Sequence, residues 1–190
     1  MIEKKYTKGS IILETSIVLP IFILVILFVY GMFVIISAQN VITHTLIQSS
    51  KSLSFDPYIT THVESVAESK TFWSSFSSII LDYARLSNDE YFSSISNWYD
   101  EGGNKSSDGE RADLAKSRFI GYLAGGDKVE AEKKIKSLGV INGLNGMQFS
   151  VSISGNDMTI TIKYALQFWF DAFDLGKIPM EQAITVRLWK

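Results

Sequence analysis

The 190-residue chain contains no cysteine. A disulfide framework, a thiolate nucleophile and a Cys-ligated metal site are all excluded. Histidine is nearly as scarce, and His44 and His62 lie on separate segments without metal-ligand spacing. Neither sign of charge dominates: 18 Lys+Arg stand against 20 Asp+Glu, a net −2, which argues against nucleic acid as the main partner. No G-x-S-x-G, S-x-x-K, H-E-x-x-H or P-loop occurs. Gly139, Gly143 and Gly146 do not follow a strand as a dinucleotide loop would, and no base is marked beside any of the many serines. The expectation is a protein that is not an enzyme, with no catalytic residue, cofactor, metal or small-molecule substrate.

What the chain does have is one long apolar run. Ile17 to Ile36 is 20 residues, of which only Pro20 and Gly31 are not apolar, and no formal charge occurs between Glu14 and Lys51. At about 1.5 Å per residue such a helix spans about 30 Å, the thickness of a bilayer core. One transmembrane helix is expected. Lys4, Lys5 and Lys8 precede the run and no Lys or Arg follows until Lys51, so the positive-inside rule puts the N-terminus in the cytoplasm. A cleaved secretory signal fits less well. Its apolar region would be shorter, and the nearest small-residue site, Ile36-Ser37-Ala38, has a bulky first residue.

At the membrane edge the chain reads Lys8-Gly9-Ser10-Ile11-Ile12-Leu13-Glu14-Thr15-Ser16-Ile17-Val18-Leu19-Pro20. Glu14 interrupts the apolar pattern. A carboxylate there either meets a partner, because charge in lipid is costly, or sits at headgroup level as a first-turn residue that a helix N-terminus favours. Pro20 either loosens the helix or is simply tolerated, as prolines often are in membrane spans.

A basic leader ending in Gly9, the small Ser10, then Glu14 and a long apolar helix resembles a class III/IV prepilin signal. With Pro20 in register, the G-x4-E-x5-P stretch resembles the TadE-like family of tight-adherence (Tad, or Flp-type) pilus systems. A weaker resemblance lies in Phe173-Asp174-Leu175-Gly176-Lys177-Ile178-Pro179 and the closing Val186-Arg187-Leu188-Trp189, similar to the tail of TadE-like proteins from Gram-positive bacteria. The resemblance implies cleavage after Gly9 by a prepilin peptidase, leaving Ser10 as the new N-terminus. It also implies a minor pilin or pseudopilin in the cytoplasmic membrane of a bacterium, acting in pilus assembly for adhesion or secretion. Its partners would be the peptidase, the major pilin, other minor pilins and the Tad platform proteins. Two other readings are an uncleaved single-pass anchor with an outer binding domain, and a pseudopilin of a competence or type II-like secretion system.

Beyond the membrane, Ala38, Val41, Ile42, Thr45 and Ser49 keep a 3–4 spacing, which predicts one helix from about residue 10 to 53. Residues 60–86 carry Val63, Val66, Trp73, Phe76, Ile80 and Tyr83 at helical spacing, which predicts one or two helices, and 100–110 is polar and loop-like. Ala115, Phe119, Tyr122 and Leu123 predict a short helix ending before Gly125-Gly126. Asp127 with Glu130 predicts a capping box opening a helix to Leu138, with Val129, Ile135 and Leu138 on its apolar side. The last 45 residues switch to period two. Met147, Phe149, Val151 and Ile153, the even positions Met158 to Phe170, and Ile184, Val186 and Leu188 predict a three-stranded antiparallel meander with one apolar face, covered by the outer part of the first helix. The expected fold class is α+β. The expected organisation is a cytoplasmic leader at 1–9, a transmembrane helix at 10–36 and an extracytoplasmic pilin-like domain at 37–190.

Overall fold

A computed structural model of the chain describes residues 6–65, 108–167 and 176–189. In chain order the elements are α1 (Tyr6–Ser65), α2 (Asp108–Ala124), α3 (Lys128–Ser137), a single 3-10 turn (Gly143–Gly146), β1 (Gln148–Ser154), β2 (Asp157–Gln167) and β3 (Lys177–Arg187). The class is α+β. The predicted apolar positions Val66, Trp73, Phe76, Ile80, Tyr83, Phe168 and Phe170 lie outside the described residues.

α1 is a single helix of 60 residues, about 90 Å long. It does not stop near residue 53 as expected but runs through Pro57. A proline removes one helical N–H and crowds the carbonyl four residues earlier, so an interior proline normally ends a helix. Here the turn is held from outside: Leu53, Ser54, Asp56 and Pro57 are all buried, and the Ser54 carbonyl accepts the backbone N–H of Trp189 at 3.1 Å. The buried hydroxyls of the outer half are satisfied within the helix. Thr45 Oγ1 donates to the Val41 carbonyl, Ser49 and Ser50 Oγ to Leu46, and Ser54 Oγ to Lys51.

The strands form a meander, β1-β2-β3, antiparallel throughout. Val151 pairs with Ile160 and Ile160 with Ile184, so the predicted inward residues of all three strands share one face. The β1–β2 hairpin turns on Gly155 and Asn156. Gly155 has φ +62°, the sign that a two-residue II′ turn demands of its first residue. On the outer face Thr159 and Thr185 meet at 2.9 Å and Lys163 reaches Glu181 at 3.4 Å.

The sheet's inner face is covered by two helices, where one was expected. α1 contributes Ala38, Ile42, Leu46 and Leu53, and α2 contributes Ala115, Phe119, Ile120 and Leu123. Phe119 meets Phe149 of β1 edge-on at 5.4 Å. α2 begins at Asp108, so the last residues of the predicted loop open it, and it ends at Ala124 before Gly125 and Gly126, both at positive φ. Asp127 caps α3, accepting the N–H groups of Val129 and Glu130 at 2.8 and 3.1 Å, but the reciprocal arm of the predicted box does not form: the Asp127 N–H donates to the Ala124 carbonyl at 3.2 Å and Glu130 pairs with Lys134 at 3.2 Å. Val129 is a correction. It is 80 % exposed, because α3 turns Ala131 and Ile135, one helical turn apart, toward the core instead. Lys134 of α3 donates to the Leu123 carbonyl at 3.1 Å, supplying a cation to the C-terminal turn of α2, which has none of its own.

Glu132 and Tyr164 have shifted titrations. The Leu144 N–H, donating to Glu132 Oε2 at 2.7 Å, holds that carboxyl below its usual range, and Lys136 at 3.0 Å adds to the effect. Burial pushes the Tyr164 hydroxyl up to about 12, against the hydrogen bond it receives from Gln182 Nε2 at 3.0 Å.

Two outcomes are expected in unfolding of the full chain in detergent micelles. Leu46→Ala destabilises by about 2–5 kcal/mol, whereas Val129→Ala changes stability by less than about 0.5 kcal/mol. Since the folded state keeps Tyr164 neutral to a higher pH than the unfolded chain does, stability present below pH 10 is lost as pH rises from 10 through about 12. Tyr164→Phe flattens that alkaline loss, read as the melting midpoint across the same window.

Candidate functional site

Of the residues singled out from the sequence, Lys8, Gly9, Ser10, Glu14 and Pro20 fall at the start of α1. Lys4 and Lys5 lie outside the described residues. Lys8, Gly9 and Ser10 belong to the helical backbone, which continues without a break through Glu14 and Pro20. Glu14 and Pro20 are both exposed, with Glu14 less than two turns before the proline. The motif therefore occupies a few consecutive turns of one rod.

Above it, every residue from Ile17 to Tyr30 is exposed except Leu27, which is half-buried. Ile17, Leu19, Phe22, Val25, Phe28, Val29 and Phe33 are each more than half exposed. An isolated apolar surface of this size all round a helix is not a water-facing surface. α1 is long and apolar enough to cross a membrane, and it is the one such helix among the described residues.

The exposed band ends where the head begins. Ile35 packs against the edge of the core and Ala38 is fully buried. At this junction Gln39 of α1 meets β3. Its Nε2 lies 3.8 Å from Met180 Sδ, and its carbonyl accepts from Gln182 Nε2 at 3.5 Å. At the far end, Trp189 donates its backbone N–H to Ser54 and its ring stacks on Phe55 at 5.4 Å. α1 and β3 thus run in the same direction. Gln39 to Ser54 spans about 22 Å of helix and Gln182 to Trp189 about 24 Å of strand. The chain's closing residues therefore sit far from the apolar band, and the β2–β3 end of the sheet lies toward it.

Sequence reasoning missed the most buried charges among the described residues. Arg118 of α2 donates from its two terminal nitrogens to Asp56 Oδ2 at 2.8 Å and Ser52 Oγ at 2.7 Å. The Arg118 and Asp56 side chains are 2 % and 3 % exposed. One signal was available. Arg111, Ala115 and Arg118 share a face of α2 at core spacing, and both arginines are buried. Asp56 was hidden because the predicted helix ended near residue 53, before it. Among the described residues, no group of three or more His, Asp or Glu side chains could hold a metal ion.

The chain matches no protein-family model, no curated protein and no solved structure.

Proposed function

We propose that the chain is a TadE-like minor pilin or pseudopilin: anchored by one N-in membrane helix, cut after Gly9 by a prepilin peptidase, and used structurally in assembling a Tad/Flp-type pilus. The observation that carries this reading is the order of features along α1. Gly9, Glu14 and Pro20 stand at its start, an apolar band about one bilayer thick follows, and a folded head sits on the outer half of the same helix. A protein that works by packing its helix among other helices needs that arrangement, because a rigid rod transmits its position in the membrane directly to the head. Cleavage after Gly9 would create an α-amine on Ser10, largely protonated at neutral pH. Glu14 of a neighbouring subunit could pair with it. Leaving a carboxylate unpaired in lipid costs at least about 2.5 kcal/mol, so the pairing favours an axially staggered neighbour.

The N-terminus of the membrane-purified protein tests the first step. Intact mass and N-terminal sequencing, with and without the prepilin peptidase, should give a start at Ser10 only when the peptidase is present. A retained Met1 under both conditions would replace this reading with that of an uncleaved anchored domain, and a start at Gln39 with that of a secreted protein. For the second step, Glu14→Gln and Glu14→Ala should insert and be processed like wild type but be lost from sheared surface fibres. Wild-type amounts of both in the fibre fraction would remove the pairing.

A further inference from the structure

β1 and β3 are the outer strands of the sheet, and the registers say which of their backbone groups face away from it. A two-residue hairpin makes its flanking residues a hydrogen-bonded pair, so Ser154 and Asp157 bond each other and the bonds recur at every second residue. β2 therefore spends its odd positions on β1 and its even positions on β3. Two bonds fix the same phase: the Leu188 N–H reaches the Asn156 carbonyl at the end of β2, while the Trp189 N–H points away to Ser54 of α1. The odd positions of β3, and Phe149, Val151 and Ile153 of β1, thus direct their N–H and C=O groups outward. Among the described residues, none of these groups bonds the backbone of another element. The edge of β3 is open as well as unbonded. Ala183 is exposed, and Ile178, Met180, Ile184 and Val186 are only half-buried, although their β2 partners Leu166, Tyr164, Ile160 and Met158 are buried.

That edge has two ends. Pro179 has no N–H to offer, and past Arg187 the chain is claimed by α1 at Ser54. Between them lie Glu181 to Arg187, a stretch as long as β1 and level with it. Gln148 aligns with Lys163 and so with Glu181, and Ser154 aligns with Asp157 and so with Arg187. We propose that β1 of a second copy, standing beside the first at the same height, adds to this edge as a parallel strand. The inference rests on α1 anchoring both copies in one membrane in one direction, and not on cleavage at Gly9. β1 and β3 both run against β2, so both run along α1. Pairing two β3 edges about a two-fold axis sends the α1 helices in opposite directions or sets one apolar sheet face beside the other copy's polar face. Pairing β3 with β1 does neither. In a parallel pair, an edge-facing residue bonds the two neighbours of the residue opposite it. Ala183 stands opposite Ser150 of the second copy, whose neighbours Phe149 and Val151 face outward, so the phase is satisfied without an axial shift. On the inner face Ile184 and Val186 gain Val151 and Ile153. On the outer face Ala183, Thr185 and Arg187 meet Ser150, Ser152 and Ser154, and no like charges are opposed. Helices about 10 Å wide cover strands about 4.8 Å apart, so the joined sheet curves with its helices on the convex side.

The absence of cysteine allows a direct test in the full chain, expressed in bacterial membranes. Ala183→Cys and Ser150→Cys are made as separate chains with tags of different size, expressed singly and together, and oxidised mildly. Strands about 4.8 Å apart bring opposed Cα atoms within disulfide reach, so the mixed dimer should exceed either homodimer about tenfold. Thr185→Lys in the first chain with Ser152→Lys in the second opposes two like charges and should lower the mixed dimer about threefold. Replacing Ser152→Lys by Ser152→Glu should restore it, a rescue that damage to either head would not give. A carbonate wash of the same membranes separates the two ways of failing. Release of the protein would remove the anchoring reading and this proposal with it. Retention in the membrane with a mixed dimer no more abundant than the homodimers, or with Lys and Glu at position 152 giving equal yields, would overturn the strand pairing alone.

Discussion

Among the described residues the inner face of the sheet is apolar apart from Gln182 and the Tyr164 hydroxyl it bonds, and water cannot be left against it. α2 covers the β1 side through Phe119, but the rest is closed by Ala38, Ile42, Leu46 and Leu53 of α1. The head therefore has no complete core without a helix whose other half carries a band of exposed apolar side chains. This shared helix is the constraint from which the other features follow. It explains why the turn at Pro57 is kept helical and why buried serines bond back to their own helix. It also explains why the last residues of the chain return to α1 at Ser54 and Phe55.

Two kinds of surface meet on α1 within about two turns. From Ile17 to Phe33 the side chains are apolar and, Leu27 apart, exposed, while above Ala38 one face is buried and the other carries Asn40, His44 and Lys51 into solvent. No loop separates the two parts. Any displacement or rotation of the exposed apolar part is passed to the head as a rigid body, limited only by how firmly the head holds its place on the rod. The contacts along β3 run parallel to that rod for about 24 Å, which ties the sheet's orientation to the helix axis.

Much of the head was legible from periodicity. The switch to period two at Met147 marked the sheet, and Asp127 with Glu130 marked the start of α3. These signals are local, each carried by residues within one element, and they were read correctly for that reason. Val129 was misread because a short charged helix has more than one face that passes as apolar, and only packing chooses between them. The end of α1 was misread because Pro57 breaks helices in isolation, and its burial against distant residues is not written in the neighbouring sequence.

By itself the sequence determined the apolar span, its flanking charges, the spacing of Gly9, Glu14 and Pro20, and the alternation of the strands. All of these are one-dimensional patterns imposed by hydrophobicity and backbone period. Tertiary structure decided which helices share the sheet and that α1 persists to Ser65. It also decided that Arg118, sixty-two residues from Asp56 along the chain, finds its counter-charge on α1. Burying a charge is tolerable only when a partner arrives from elsewhere in the fold, and no local pattern records where that partner comes from.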